Sequence, residues 1–458
     1  MWWNNPQARD AFETAHRQLH ELTAAGFAAD AVRRVQHEKL DALWDRAAAV
    51  PYYRDLPGFA DRELDRLPVT GKDLLKSRPA DFLRTDLTGA VKYYESSGSS
   101  GVPTPTPRLA EDVIANVIGV SPLWRRVLGA EPSRVASLLP SDVVPVADFV
   151  AATCEYLGHQ LLRGYPFSVG MCDWDRLTAL FTAYRPERVF AAPGVLAQWT
   201  RILKTRGVLA EVRASVRTVL LLGEVCLPGQ RRKLALDWQA DVLDVSYGST
   251  ETGTIAASCE RGGLHLLGHG HLVELRDGDT VRPAEPGTSG ELVDTTLNNH
   301  ARPLLRYGTG DWVDVLPDPC GCGLPLPTLR VHGRGTDRVE LRGTALTEHL
   351  VGSIVYDDPR LTGAGTRRRR DRTGRGAGHR RREAVRRGRR GLGRRGGGAP
   401  VAGRQQVRRQ SEELEADQPG DRPMSAPTVR SGPASDAVAV PAGGPSIRAG
   451  GGLPTADG

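Results

Sequence analysis

The chain has 458 residues, enough for two or three domains, and its 40% hydrophobic content supports a sizeable core. It contains no run of 18 apolar residues, so no membrane-spanning helix is expected, and six cysteines in this length do not suggest a disulfide framework. The formal charge of +7 is uneven: from Leu361 onward there are 21 Arg, no Lys and nine Asp or Glu, while the preceding 360 residues carry 40 basic against 45 acidic side chains, so the main body does not read as a basic nucleic-acid binder.

The N-terminus, Met1-Trp2-Trp3-Asn4-Asn5, lacks the charged and apolar regions of a signal peptide, and a cytoplasmic location is expected. Residues 8–49 place apolar side chains at helical spacing among charged ones, which predicts helices. A dense run of small residues follows, Tyr94-Glu95-Ser96-Ser97-Gly98-Ser99-Ser100-Gly101-Val102-Pro103-Thr104. Gly98 and Gly101 tolerate positive φ and let a bound group come close. Successive N–H groups in such a turn can nest an anion, and Ser97, Ser99 and Ser100 add hydroxyl donors. The run lacks the Lys of the GxxxxGK[ST] phosphate loop, and alone it also reads as a flexible linker. Residues 110–120 predict a helix behind it, 135–139 a buried strand, 149–162 a helix then a strand, and 174–184 a helix. Residues 189–192 read as a strand entering the Pro193-Gly194 turn, and 218–222 as an apolar strand ending at Gly223-Glu224. Strands alternating with helices of this length argue an α/β fold with largely parallel sheets. After Glu251 the texture changes, and 272–294 shows short strands between Gly and Pro turns.

Three motifs stand downstream of the Ser/Gly run. They are Asp244-Val245-Ser246-Tyr247-Gly248-Ser249-Thr250-Glu251-Thr252-Gly253, then Arg306-Tyr307-Gly308-Thr309-Gly310-Asp311, then Gly333-Arg334-Gly335-Thr336-Asp337-Arg338. The four in this order resemble the adenylate-forming superfamily of acyl-CoA synthetases and peptide-synthetase adenylation domains. Val50-Pro51-Tyr52-Tyr53-Arg54, Leu67-Pro68-Val69-Thr70-Gly71-Lys72-Asp73-Leu74, the Gly-x-Pro-Thr end of the Ser/Gly run, Gly223-Glu224, Cys259 through His265, and Cys320-Gly321-Cys322-Gly323 narrow the resemblance to phenylacetate–CoA ligases, over about residues 40–358. The resemblance implies a large multi-layer α/β domain with mixed sheets over 1–332, including a small β-rich subdomain at about 254–332. It implies a hinge and the start of a truncated C-terminal domain at 333–360. Residues 361–458 form an Arg/Gly/Pro-rich tail, expected to be disordered.

The reaction implied has two halves: a carboxylate attacks the α-phosphate of ATP, and a thiol then displaces AMP. Such transfer is mostly positioning and charge neutralisation. By resemblance, Ser97, Gly98, Ser99, Ser100 and Gly101 cradle the β- and γ-phosphates. Thr250 bonds the α-phosphate, and Glu251 holds Mg²⁺, a hard cation suited to carboxylate oxygen. Tyr247, followed by Gly248 and Ser249, stacks on adenine, and Gly223 and Glu224 edge the adenine and acyl pocket. Asp311 can accept both ribose hydroxyls, and Arg334 reaches the ribose or phosphate. Each has a plainer reading as a turn, core or surface residue. The implied cofactors are ATP, Mg²⁺ and CoA, or the phosphopantetheine of an acyl carrier protein. The implied substrate is a small carboxylic acid, aryl or short acyl. A homodimer stays open.

Two departures qualify this. The hinge position holds Thr336, where Asp or Lys is common in the superfamily. The family's adenylation step uses a Lys late in the C-terminal domain, and the last lysine here is Lys233. The expectation is a form impaired in adenylation. Its tail reads most readily as out-of-frame text of a GC-rich gene, with a designed basic tail or a drifted truncation as the other readings. An adenylation protein loading a carrier, and a catalytically dead nucleotide- or acyl-adenylate-binding protein, remain the alternatives.

Cys259, His265, Cys320 and Cys322 supply a Cys₃His set suited to a closed structural zinc site, although the C-x-C spacing is tighter than the common C-x₂-C. Free thiols are the other reading. Cys154, Cys172 and Cys226 are expected as core or pocket-wall residues. His159 is expected in the core, with the acyl pocket as the second reading.

Overall fold

Two helices open the chain, α1 (Pro6–Ala24) and α2 (Ala29–Ala47). Asn5 starts the first, its side chain accepting from Ala8 N, with Pro6 in the first turn where a missing N–H costs nothing. In the computed structural model the described residues are 4–96, 103–335, 339–341 and 344–346. The Ser97–Gly101 run, the Thr336 hinge position and the tail therefore lie outside the described residues. Among those described, no helix is long and apolar enough to cross a membrane.

A short strand β1 (Thr70–Gly71) runs directly into α3 (Lys72–Ser77), and a hairpin follows, β2 (Ala90–Glu95) with β3 (Pro105–Leu109). The hairpin brackets the Ser/Gly run. The sequence did not predict it, because Pro105 and Pro107 argue against a strand. Ser96 N donates to Thr104 O, which puts the even-numbered residues of β3 in the ladder. Both proline nitrogens then face the open edge, where no donor is needed.

Next come α4 (Ala110–Leu128), β4 (Arg134–Leu138), α5 (Val146–Leu157), β5 (Gln160–Arg163), α6 (Trp174–Tyr184), β6 (Arg188–Ala191), α7 (Pro193–Arg206), α8 (Leu209–Arg213), β7 (Thr218–Leu221), α9 (Pro228–Trp238) and β8 (Asp241–Asp244). The five strands β4–β8 form one wholly parallel sheet in the order β5-β4-β6-β7-β8. Helices cover it, so its central strands read as unbroken apolar runs; all four residues of β7 are buried. On one side Trp199 lies between Phe181 and Trp238, at centroid distances of 4.6 and 5.4 Å. In another cluster Trp124 packs on Phe149 and Phe190 and donates its indole N–H to Val245 O.

Helix α4 runs eight residues beyond the predicted 110–120, through Pro122 to Leu128. Proline cannot donate to the carbonyl four residues back. Here that carbonyl, Ile118 O, accepts instead from Ser121 Oγ at 2.8 Å, and a buried apolar face carries the helix on.

The second half is β-rich: β9 (Ser246–Ser249), β10 (Gly253–Ser258), β11 (Leu264–Leu266), β12 (His271–Asp277), β13 (Thr280–Pro283), β14 (Ser289–Thr296), β15 (Tyr307–Val315) and β16 (Thr328–Arg334). With β1 they make a nine-stranded sheet in the order β13-β12-β14-β15-β16-β11-β10-β9, antiparallel except where β1 joins β15 at Thr70↔Tyr307. A separate ribbon pairs β17 (Val339–Leu341) with β18 (Thr344–Leu346). The fold is thus α/β with mixed sheets. Arg334 ends β16, so it belongs to the nine-stranded sheet.

Candidate active site and metal centre

A cavity of about 1050 Å³ opens at the carboxyl ends of the parallel strands, the usual ligand crevice of such sheets. Ala192 after β6, Gly223 and Glu224 after β7, and the turn after β9 line it. Lys92, Tyr94 and Arg108 of the hairpin and residues 112–119 of α4 close other sides.

The turn Thr250–Thr252 between β9 and β10 is built by its own sequence. Ser249 N donates to Thr252 Oγ1 at 3.1 Å, and Thr252 N donates to Ser249 Oγ at 3.2 Å. Gly248 has no alternative, since a Cβ there would sit 2.0 Å from Gly253 O. Distant residues then clamp the turn. Arg108 donates to Thr250 O at 2.8 Å, to Glu251 O at 3.2 Å and to Asn299 Oδ1 at 3.0 Å. Asn299 in turn donates to Glu251 O at 3.0 Å. Arg302, fully buried, donates to Thr106 Oγ1 at 2.9 Å and to Pro105 O. Arg108 therefore ties the stem of the Ser/Gly hairpin to the Thr250–Glu251 turn, and Arg302 braces the same stem from the segment that also carries Asn299.

Replacing Arg108 by Met leaves two carbonyls and the Asn299 side chain short of a buried donor, each costing about 1–3 kcal/mol. The expected outcome in thermal denaturation is a transition several degrees lower, with Arg108→Lys recovering only part of it. A wild-type transition in the Met variant would rule out the clamp.

Glu251 is 1% exposed, and its Oε1 has no hydrogen-bond partner among the described residues. Among the described residues the cation paired with it is Lys72, whose Nζ lies 3.8 Å from Oε1. A buried carboxylate oxygen without a donor suits a divalent cation. Lys72 is set at this point because β1 is anchored on β15 and α3 begins at once. Burial and the neighbouring Arg334 and Lys76 charges push its amine below the usual lysine range, against the pull of Glu251 and Asp311.

Asp311 and Arg334 face each other across β15 and β16. Their atoms Oδ1 and Nε are 3.3 Å apart, Arg334 also donates to Thr309 O at 2.8 Å, and Tyr247 donates its hydroxyl to Asp311 Oδ2 at 3.1 Å. Burial raises the Asp311 carboxyl above its usual range, opposed by Arg334 and the Tyr247 bond. These three residues line a smaller pocket with Lys72. Tyr247 lies between Ser246 and Gly248, which line the large cavity, and itself borders only the smaller one.

The structure therefore gathers Gly223, Glu224, Gly248, Ser249, Thr250, Glu251 and Arg334 on one cavity, with Tyr247 and Asp311 adjoining. Glu224 is partly committed: its Oε2 accepts Gly194 N at 3.0 Å, at the start of α7. His159 is buried outside the cavity and accepts from Ser133 N at 3.2 Å. Cys154 and Cys226 are buried, Cys172 half-buried. Arg108, Asn299 and Arg302 were not foreseen. Lys72 stood in a quoted motif without a role.

Apart from the cavity, Cys259, His265, Cys320 and Cys322 bring four ligand atoms within 4.8 Å of one another. Cys259 follows β10, His265 is on β11, and both Cys320 and Cys322 lie in the β15–β16 connection; β11 pairs with β16, which brings the two ends together. Cys259 and Cys320 sulfurs are 3.5 Å apart, and Cys322 Sγ is 3.3 Å from His265 Nε2. A tetrahedral zinc with Zn–S of about 2.3 Å has S···S edges of about 3.8 Å, so the spacing fits. His265 Nδ1–H donates to Leu326 O at 2.9 Å, which leaves Nε2 as the ligating nitrogen. A Cβ at Gly263 would meet Cys320 Sγ at 2.5 Å, so the position must be Gly.

Among known proteins, the chain is 28% identical to the phenylacetate-coenzyme A ligase of Thermus thermophilus over 353 residues, 72% of this chain and 76% of that protein. It is 24% identical to the phenylacetate-coenzyme A ligase of Aromatoleum evansii over 362 residues, 72% and 77% of the two. Its fold matches the solved structure of 2-hydroxyisobutyryl-CoA ligase in the postadenylation state in complex with 2-HIB-AMP, with a TM-score of 0.65 and 17% identity, covering 74% of this chain and 75% of that one. No family model matches. Taken together, the chain is similar in sequence to curated phenylacetate-coenzyme A ligases and shares its fold with a solved CoA ligase.

Proposed function

We propose that the chain uses ATP to activate a carboxylic acid and passes the acyl group to a thiol such as CoA. The observation that carries this is the meeting of Lys72, Thr250, Glu251 and Arg334 on one cavity bounded by the stem of the Ser/Gly hairpin. A carboxylate oxygen attacks the α-phosphorus, the α–β P–O bond breaks and pyrophosphate leaves. The thiol sulfur then attacks the acyl carbon, AMP leaves and the thiol proton is released. Glu251 would hold Mg²⁺, which would supply neutralisation of the phosphate charge. Lys72 adds a fixed positive charge beside it. Asp311 takes the ribose hydroxyls in exchange for its Tyr247 bond. Gly223 and Glu224 border the base and acyl group, and the Ser97–Gly101 backbone takes the outer phosphates.

Calorimetric titration tests this reading. ATP should bind with Mg²⁺ dependence, Glu251→Gln should lose that dependence, and Asp311→Ala should weaken AMP and ATP alike by about tenfold, the scale of one charged hydrogen bond. Absence of nucleotide binding by the folded protein would remove the proposal.

The second part of the reading is structural. Cys259, His265, Cys320 and Cys322 hold one zinc ion that ties the β10–β11 turn to the β15–β16 connection. The support is the donor set, its spacing and the second hydrogen bond of His265.

A further inference from the structure

The cavity carries a charged cluster that activation of a simple acid does not use. Lys92 and Tyr94 alternate along β2 and so share one face; Asp148 is on α5, and Arg163 ends β5. All four line the cavity. Asp148 Oδ2 accepts from Lys92 Nζ at 2.8 Å and from Tyr94 at 3.1 Å. Burial works to raise the Asp148 carboxyl, but the bonds from Lys92 and Tyr94 and the Arg163 charge outweigh it and hold the group below the usual carboxylate range. Asp148 is therefore ionised and already satisfied by Lys92 and Tyr94. Arg163 approaches the other oxygen only at 3.5 Å, its side chain is 46% exposed, and among the described residues its guanidinium makes no hydrogen bond. Two cations share one carboxylate, so the cluster keeps a surplus positive charge.

β5, which Arg163 ends, is an edge of the parallel sheet, and Arg163 shares the cavity with the Thr250–Glu251 turn. The link between them runs through the hairpin: Lys92, which holds Asp148, is the cross-strand partner of Arg108, which donates to Thr250 O. Leu139, Val144 and Phe149 line the cavity too, and supply apolar wall. A ligand meeting both the turn and the cluster has a reacting carboxylate, an apolar body and a second anion.

We propose that Arg163, oriented by Asp148 with Lys92 and Tyr94 behind it, is a subsite for a second carboxylate, and that the acid substrate is a dicarboxylate. This rests on the acid-activating reading above. Guanidinium meets carboxylate in a two-bonded fork, which an equally long monoacid cannot form.

The test compares hexanoate with adipate and octanoate with suberate, on wild type and Arg163→Gln. In the activity arm, acyl-adenylate is trapped with hydroxylamine. Wild type should favour the diacid by about tenfold in kcat/KM, and Arg163→Gln should bring the ratio toward one, through KM. The binding arm measures the same acids calorimetrically without nucleotide. A diacid bound about tenfold more weakly by Arg163→Gln upholds the subsite even where no acid is turned over, an outcome that would sink only the activity reading. Equal binding of diacid and monoacid to wild type overturns the subsite even where hexanoate is activated. A third arm compares CoA with dephospho-CoA. If Arg163→Gln raises KM for CoA alone, the anion is the cosubstrate's phosphate and the dicarboxylate assignment is wrong.

Discussion

Lys72→Met lowers acid-dependent ATP–pyrophosphate exchange by roughly 10²–10³, the usual cost of removing one preorganised charge from a reacting centre. Negative charge gathers at the α-phosphorus during attack, and Lys72 is the cation beside the Glu251 carboxylate, 3.8 Å away. It is held there before substrate arrives: β1 is locked to β15 at Thr70↔Tyr307 and Gly71↔Gly308, and Lys72 follows without a break. Lys72→Arg keeps the charge but alters its reach, and should retain a measurable part of the rate. Lys72 must be protonated to act, and its pKa lies below the usual lysine range. Exchange should therefore fall as pH rises through that lowered value, earlier than for an ordinary lysine, and Lys72→Met should lack this alkaline limb. Unchanged exchange and an unchanged pH profile in Lys72→Met would exclude the role. The expectation of poor adenylation rests on the lack of any lysine after Lys233, and brisk exchange by the wild type is the result that would overturn it.

Cys320→Ser should empty the metal centre and lower the unfolding temperature by roughly 10 °C or more. Structural zinc binding is worth about 10–16 kcal/mol in small domains where it is the folding energy. Here a packed core shares the load, and a loss of several kcal/mol is expected, at about 2–4 °C per kcal/mol for a domain of moderate size. Elemental analysis should find about one zinc per chain in the wild type and near none in the variant. Cys172→Ser, on the half-buried cysteine away from the cluster, is the control and should keep its zinc. Wild-type protein that stays fully folded at an unchanged transition temperature after metal removal would end the structural role.

Much of the fold was readable because its signals are local. Residues 174–184 carry helical periodicity and form α6 with those bounds, and the apolar run at 218–222 becomes β7. The misses have equally local causes. Pro122 does not stop α4, because Ser121 supplies the donor that proline lacks. Pro105 and Pro107 do not prevent β3, because their nitrogens face its open edge.

The order of motifs, the Tyr247–Glu251 turn and the cysteine and histidine spacing were present in the sequence itself, since each is a short stretch whose chemistry depends on neighbours within a few residues. What the tertiary structure decided is which distant side chains share a space. Arg108 reaches Thr250 O across 142 positions of chain, and Asn299 reaches Glu251 O across 48. Lys72 meets Glu251, Tyr247 turns its hydroxyl to Asp311, and Arg163 joins Asp148 and Lys92. No periodicity encodes such pairs. They follow from strand order and register, which place residues far apart in sequence within a hydrogen bond of each other, and burial then makes those contacts strong enough to act.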